Sequence, residues 1–592
     1  MSVLYAQVIV DIVHENVAHT FTYRIPDGMT LTAGQRVEVP FGRMRKEGVV
    51  LSLTQETDVP PEKLRDILRP LEDYAAICPT LLTLAQQMAD DVHCPLAETL
   101  RLMLPAQMRG GRIQVKTQTV AQAAKPREML EAAALAEKRS PKRRLLLTVL
   151  SDGRTHPVEE LKLLVREPLQ ALRQIEAAGL IALREEEVLR RPGGNTPDTA
   201  VPDPPLTPGQ EEALSVMLPD LRSGQGKYLL HGVTGSGKTS VYLALIQSAL
   251  DKGRSAMLLV PEIALTPQLL HKMTAHFGKT VAVLHSSLRV GERYDEWRRI
   301  ARGEARVVVG TRSAVFAPLQ NPGLLILDEE QEHTYKSENA PRYHAREIAL
   351  YRSARAGALV LFGSATPSIE TMYLAKTGVY SLYTLKTRYN GRALPDARII
   401  DMKQELRAGN DLDLSRELEE GIRDAILDKK QSILFLNRRG NSRYLVCMDC
   451  GDVPQCPRCS VHLTYHSSGR RLMCHYCGYV MPAHARCEKC GGAMKAIGSG
   501  TQKVEQELKA LFPDTEVLRM DADTVPAAGG HEAMLKQFRE QQIPILLGTQ
   551  MVAKGLDFPS VTLVGVIDAD MSLYVDNFRA AEPTFSLITQ VV

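Results

Sequence analysis

The chain has 592 residues, 44% of them hydrophobic and 24% charged, with a formal net charge of +3, the proportions of a folded globular protein of about four domains. This excludes a small stapled scaffold, a collagen- or mucin-like chain and wholesale disorder. No run approaches the ~18 apolar residues of a membrane span, and the N-terminus MSVLYAQVIVDIVHENV lacks a basic leader start and carries Asp11 in its apolar stretch. The expectation is a cytoplasmic protein with no membrane partner. The near-neutral total hides a basic stretch, since residues 101–150 hold eleven Lys or Arg against three Asp or Glu. Such a stretch fits a solvated face or a nucleic-acid surface.

In chain order, residues 1–110 open with alternating segments (VLYAQVIVDI, HTFTYRI, QRVEVPFG, EGVVLSLT) broken by Pro and Gly, which predicts a β-rich domain ending in helical periodicity. Residues 111–200 begin with TQTVAQAAKPREMLEAAALAEKRSPK, read as a linker of partial helical character. Three short amphipathic helices and LIALREEEVLR follow, in the order of a winged helix, before the Pro- and Gly-rich linker RRPGGNTPDTAVPDPPLTPG. Over 201–385, buried-strand runs (KYLLHGV, SAMLLVP, ARVVVGT, LLILDEE, ALVLFGS) alternate with helical segments, the pattern of a parallel sheet with crossover helices. The pattern resumes over 386–592 with SILFLN, PILLGT and VTLVGVID, giving a second α/β lobe interrupted by an insertion at 441–497.

Within the first lobe, GVTGSGKT (Gly232, Val233, Thr234, Gly235, Ser236, Gly237, Lys238, Thr239) lies between a strand and a helix. Its glycines let backbone N–H groups curl round a β-phosphate at a helix N-terminus, Lys238 supplies charge to the β- and γ-phosphates, and Thr239 offers a hydroxyl to Mg²⁺. LLILDEE then places Asp328 at a strand end to hold the metal and Glu329 beside it to polarise water. Together they predict an ATP-hydrolysing site with Mg²⁺. Eight of the ten cysteines fall within 44 residues as four C-x-x-C pairs: Cys447/Cys450, Cys456/Cys459, Cys474/Cys477 and Cys487/Cys490. That spacing predicts two Cys₄ zinc sites, structural because every coordination position is filled.

LTPGQ (206–210), LVPEIALTPQ (259–268), GTRSA (310–314), DEEQ (328–331), GSATP (363–367), FLNRRG (435–440) and GTQMVAKGLDFP (548–559) stand in the order of second-superfamily helicase motifs. With the aromatic-rich HTYKSENAPRYHARE and the cysteine insertion, the set resembles the PriA family of bacterial replication-restart helicases along nearly the whole chain. The resemblance implies two RecA-like lobes preceded by a β-rich domain that binds a DNA 3′ end and a winged helix. It also implies ATP-driven 3′ to 5′ unwinding at stalled or collapsed forks, leading to primosome assembly. Implied partners are forked and single-stranded DNA, primosome and helicase-loading proteins, and single-stranded DNA-binding protein. By the same resemblance, Gln210 reads adenine; Thr266, Gln268, Arg312 and Thr549 touch the DNA backbone; Ser364 and Thr366 couple phosphate state to lobe closure; and Phe21, Gly42 and Arg65 clasp the 3′ end. It pairs the outer cysteine knuckles on one zinc ion and the inner two on the other.

Four positions depart from the pattern. Thr22 stands where the family often has Asp, Gln331 replaces a histidine while keeping a donor and an acceptor, and Pro583 occupies a usual arginine position. The sequence also closes at Val592, before an arginine-bearing motif of the second lobe. From this last departure the expectation is weak hydrolysis, and a second reading follows from it: an ATP-sensing scaffold that binds DNA structures.

Overall fold

The alternation of the first 70 residues becomes a six-stranded sheet in a computed structural model of the chain. The structure describes residues 4–591 apart from 15–18, 112, 114, 192–204, 263–264, 390, 392–394, 437–443, 467–468, 498–499, 522–523, 525–529, 550–557 and 575–576. Strand order in the first sheet is Arg65–Asp66, Phe21–Arg24, Tyr5–Val10, Met44–Thr54, Arg36–Phe41, Arg69–Pro70. Alternate residues Ala6, Val8, Val10, Val37 and Val39 form its core, as a period of two on a half-buried sheet requires. The helices Pro79–Val92 and Leu96–Leu102 follow, and their apolar sides enter the core of the first lobe beside Trp297, Phe316 and Leu325.

The stretch read as a linker is an integral part of the next module. Thr117–Ala123 is a strand that pairs antiparallel with Ile181–Glu187 along its whole length, and Arg127–Ala136 is a helix contributing Leu130 and Ala134 to the module's core. The polar alternation of TQTVAQA conceals a strand because only Val120 and Ala121 are buried. The helices Pro141–Leu150, Val158–Leu164 and Leu169–Ala177 complete the module.

Lobe one is a seven-stranded, all-parallel sheet in the order Val281–Leu284, Val307–Gly310, Ser255–Leu259, Pro322–Asp328, Leu359–Ser364, Lys227–Gly232, Ser381–Leu385. Its central strands are buried along almost their whole length, with apolar clusters on both faces. Lobe two has four parallel strands, Val517–Met520, Ile545–Gly548, Gln431–Leu436 and Val561–Ile567. The cysteine insertion is closed at its base by Tyr444–Cys447 pairing antiparallel with Met494–Ile497. The loops after Asp328 and Ser364, at the carboxyl ends of their strands, meet the second-lobe helix Ala581–Val591.

Candidate nucleotide, DNA and metal sites

The phosphate loop leaves strand Lys227–Gly232 and enters helix Lys238–Asp251 through Gly237, which takes the left-handed conformation (φ 77°) at the N-cap. Side chains crowd two of its glycines, of which Gly237 alone is also left-handed. A Cβ at Gly232 would lie 2.4 Å from Ser236 Oγ, and one at Gly237 2.3 Å from Gln210 Nε2. Lys238 Nζ donates to the Gly232 carbonyl at 3.1 Å, so the cation sits within the loop that it serves. Ser236 is buried, and its hydroxyl has no hydrogen-bond partner among the described residues. A buried hydroxyl left unsatisfied costs about 1–3 kcal/mol, and an oxygen-rich anion in the loop removes that cost. The loop thus fits a nucleotide phosphate by its own chemistry.

Gln210 approaches the phosphate loop from the start of helix Pro208–Ser223. Its Oε1 accepts from Thr207 N–H at 2.9 Å, and its Nε2 donates to the carbonyls of Ser236 at 3.0 Å and Gly237 at 3.2 Å. The amide forms the capping box of helix Pro208–Ser223 and props the phosphate loop. This is the side chain that the resemblance assigns to adenine, and it stands against the loop that would hold the phosphates.

Asp328 closes strand Pro322–Asp328 and accepts from the Tyr242 hydroxyl at 2.8 Å. Burial, and after it the Asp328 charge, pushes the Tyr242 phenol well above its ordinary range, so it remains a donor. Tyr335, equally buried, donates to the backbone carbonyls of Asp328 at 2.7 Å and Leu259 at 2.9 Å. Glu329 adopts φ 47°, a left-handed backbone that a non-glycine residue holds only when its surroundings fix it. Its Oε2 accepts from Gln331 Nε2 and from Gln590 Nε2, each at 2.7 Å. Gln331 Oε1 accepts from Ser364 Oγ at 2.6 Å, and Thr366 Oγ1 lies 2.6 Å from Ser586 Oγ. A hydrogen-bonded chain therefore runs from Ser364 through Gln331 to Glu329 and across to the second lobe. Gln331 uses both a donor and an acceptor. Glu330 faces away, buried among Ser368, Thr371 and Arg346, and its role is structural. Sequence reasoning missed Tyr242, Tyr335, Ser586 and Gln590; an aromatic residue in the first turn after GKT was the one available signal.

Of the residues assigned to the DNA backbone, Thr266 caps helix Pro267–Phe277, accepting from Leu269 N–H at 3.3 Å, and Gln268 is exposed on the same helix start. Arg312 donates to the carbonyls of Thr334 at 3.1 Å and Lys336 at 2.7 Å and lies over the Tyr343 ring. It therefore braces the aromatic-rich loop. Thr549 directly follows strand Ile545–Gly548; the rest of that motif, 550–557, and residues 437–440 of FLNRRG lie outside the described residues. In the N-terminal sheet, Phe21 meets Phe41 edge-on with ring centroids 5.2 Å apart, which brings Gly42 beside it, and Arg65 is in register with Tyr23. Phe21 and Arg65 thus lie on paired strands, and Gly42 directly follows Phe41. Thr22 is engaged with the Gln7 amide at 3.1 and 3.3 Å.

The insertion gathers Cys447, Cys450, Cys487 and Cys490 in one group and Cys456, Cys459, Cys474 and Cys477 in another, with ligand atoms within 4.8 Å of one another in each. Sulfur separations of 3.4 Å (Cys447–Cys490), 3.7 Å (Cys450–Cys487) and 3.6 Å (Cys456–Cys477) approach the ~3.8 Å edge of a tetrahedron with Zn–S bonds of ~2.3 Å. Each knuckle repeats one turn, in which the N–H of Gly451, Ser460, Gly478 or Gly491 donates to the carbonyl of the first cysteine. All four residues are left-handed. Backbone N–H groups, led by those of Cys450 and Cys477, hold the Cys447 and Cys474 thiols down at about 6 and about 7, while the neighbouring Cys477 sulfur first, then burial, pushes the Cys459 thiol up to about 12, so within a group the sulfurs do not ionise alike.

Family models match the chain in four places. A PriA 3′ DNA-binding domain covers residues 7–105, a DEAD/DEAH box helicase 207–374, the PriA DNA helicase Cys-rich region 456–482, and a helicase conserved C-terminal domain 495–581. The replication restart protein PriA of Bacillus subtilis is 38% identical over 99% of this chain and 81% of its own length. The chain belongs to the PriA family. The PriA proteins of Synechocystis and Haemophilus influenzae are each 35% identical, over 96% of this chain and 78% of their own lengths. As a PriA-family member the chain is an ATP-dependent DNA helicase of replication restart, with a fork-recognising DNA-binding domain, a nucleotide-binding motor and a cysteine-rich zinc region. Among the described residues no helix is long and apolar enough to cross a membrane.

Proposed function

We propose that the chain moves 3′ to 5′ on single-stranded DNA at stalled or collapsed forks, using the N-terminal sheet at Phe21, Gly42 and Arg65 to take the 3′ end. The observation that carries the motor reading is Glu329, which is held at once by Gln331 of lobe one and Gln590 of lobe two. In ATP hydrolysis Lys238 and the loop N–H groups hold the β- and γ-phosphates. Thr239 and Asp328 are hard oxygen donors suited to Mg²⁺, which supplies charge neutralisation to the phosphates when bound. Glu329 orients the attacking water and accepts its proton. Because the two glutamines grip the same carboxylate from opposite lobes, a change at the phosphates is felt in both. Thr266, Gln268, Arg312 and Thr549 line the DNA side of the lobes, and contacts to phosphates make the grip independent of base sequence. Two zinc ions held by the eight cysteines fix the insertion. Primosome and helicase-loading proteins and single-stranded DNA-binding protein are the partners that family membership suggests.

Glu329→Gln separates binding from chemistry. ATP affinity is expected within a few-fold of the parent and DNA-stimulated hydrolysis at least about a hundredfold lower, whereas Lys238→Ala loses ATP affinity itself. Unchanged hydrolysis in Glu329→Gln would remove Glu329 from the reaction.

A further inference from the structure

Two tyrosines hold Asp328 at two different points. Tyr335 donates to its backbone carbonyl at 2.7 Å and fixes the peptide, whereas Tyr242 donates to its carboxylate Oδ1 at 2.8 Å and fixes the side chain. Tyr242 stands in the first turns of helix Lys238–Asp251, three residues after Thr239, and is fully buried. Strand Leu359–Ser364 runs between strand Lys227–Gly232, from which that helix issues, and strand Pro322–Asp328. The phenol therefore has to pass over the middle strand to reach Asp328, and it passes at Gly363, the residue in register with Asp328. A Cβ at Gly363 would lie 1.8 Å from the Tyr242 hydroxyl and 3.1 Å from Asp328 Oδ1. Gly363 does not take a left-handed torsion. Glycine is thus required at the head of GSATP by the phenol and not by the backbone.

We infer that Tyr242 is a positioning residue for the divalent cation of ATP hydrolysis, its hydroxyl fixing the aim of the Asp328 carboxylate through the space that Gly363 leaves open. The inference rests on the reading of Asp328 as a metal-holding carboxylate. Packing accounts for the ring, which lies in one apolar cluster with Leu230, Ile326 and Leu361. It does not account for the hydroxyl, which a phenylalanine would spare the core and which is costly to bury unless it is paired. The partner found is the carboxylate that the motor reading assigns to the metal, and burial keeps the phenol protonated, so the bond is always donated in the same sense. A carboxylate is planar, so tethering one oxygen sets the direction of the other. Untethered, the side chain would lose torsional freedom each time it engaged a cation. Mg²⁺ demands near-ideal octahedral geometry, and a pre-aimed ligand meets that demand at lower cost. One side chain thus ties together the helix after the phosphate loop, the strand ending in Asp328 and the glycine of GSATP.

The test is Mn²⁺ binding to the full chain with a non-hydrolysable ATP analogue bound, read as loss of the free-ion electron paramagnetic resonance signal, so that no turnover is needed. Tyr242→Phe keeps the ring and deletes the hydroxyl. Mn²⁺ affinity is expected to fall about tenfold, the order of one hydrogen bond to a charged group, while affinity for the analogue without metal stays within about twofold and the melting temperature falls by a few degrees at most. The Mg²⁺ concentration that half-saturates DNA-stimulated hydrolysis should rise by a similar factor. If Asp328→Asn weakens Mn²⁺ while Tyr242→Phe stays within twofold of the parent, the inference fails and the reading of Asp328 stands. If neither variant changes Mn²⁺ affinity, both fail. A double variant supplies a check that a general loosening of the core cannot imitate. Because the hydroxyl acts only through the carboxylate, adding Tyr242→Phe to Asp328→Asn should weaken Mn²⁺ no further, and additive losses would overturn the assignment.

Discussion

Lobe one is joined on one side to the N-terminal modules and on the other to lobe two, and the two joints are built from different physics. Toward the N-terminus the apolar core is continuous: Ile9, Val49, Leu81, Leu84 and Met103 share one cluster with Tyr294, Trp297 and Phe316 of the lobe. Buried ion pairs lie in the same joint. Arg36 pairs with Glu72, and Asp295, wholly buried, accepts from Arg190 Nε at 2.7 Å, Nη2 at 3.0 Å and backbone N–H at 2.8 Å. Gly291 leaves the space that Arg190 fills, since a Cβ there would lie 2.4 Å from its Nη1. Toward lobe two, the contacts include the hydrogen bonds at Glu329 and Thr366, one from Ile369 N–H to Glu582 Oε1 at 3.0 Å, and the half-exposed pair Arg579–Glu370. The apolar cluster at the heart of lobe two contains residues of that lobe alone. Burying apolar area on both partners makes a joint that opens only at the cost of that whole area. Hydrogen bonds, each worth about 1 kcal/mol net, exchange readily with water or ligand. The first joint suits a fixed platform for the DNA-end domain, and the second suits a cleft that opens and closes with each nucleotide.

The largest expected effect breaks the fixed joint. Asp295→Ala leaves the partly buried Arg190 without its carboxylate, a change that costs about 3 kcal/mol, the low end for a broken buried pair, read as a lowered unfolding midpoint for the N-terminal modules together with lobe one. Glu370→Ala at the cleft removes an exposed pair and should cost under about 1 kcal/mol. Equal losses would erase the distinction between the joints.

Next in size is a variant of the moving joint. Gln331→Ala deletes the bridge between Ser364 and Glu329 without touching a packed core. ATP affinity is expected within twofold of the parent and the melting temperature nearly unchanged, while DNA-stimulated hydrolysis falls about tenfold, equivalent to about 1.4 kcal/mol of barrier. A large loss of stability instead would make Gln331 part of a structural joint.

How legible each joint was in the sequence follows from how local its signals are. The phosphate loop, the strand ending in Asp328 and the four cysteine knuckles each spell their chemistry in fewer than ten contiguous residues, and the buried runs of lobe one read as strands because both faces of a parallel sheet are covered. Glu329 was readable as a base, but its grip by Gln590 joins positions 261 residues apart, and no local pattern announces such a pair. The Arg190–Asp295 clamp was hidden likewise, because a charged side chain in an amphipathic helix reads as solvent-facing until a partner module covers it. Thr117–Ala123 was taken for linker because a strand whose outer face is polar carries too few apolar residues to show its period.

The smallest effect belongs to His344, which lies in lobe one but feels lobe two. Its Nδ1 accepts from Arg346 N–H at 3.2 Å at the start of helix Ala345–Ala356, so the folded chain needs that nitrogen unprotonated. Burial first, then Arg346, Lys336 and the second lobe's Arg579, bring its pKa down to about 4, with Glu370 opposing. The unfolded chain titrates near the ordinary value of ~6.5, so between these values the unfolded state binds more protons. The contribution of His344 to stability is therefore complete above about pH 6.5 and is lost as pH falls toward 4. His344→Asn keeps a cap without titrating. Between pH 6.5 and 5 the parent should lose more stability than this variant, measured by denaturant unfolding at each pH, and equal slopes would show that His344 contributes nothing there. Arg579→Ala sharpens the comparison of joints: with one of the charges that depress it gone, the pKa of His344 rises toward its unfolded value and the acid loss becomes smaller, a response across the cleft that mutation of the Arg190–Asp295 clamp should not produce.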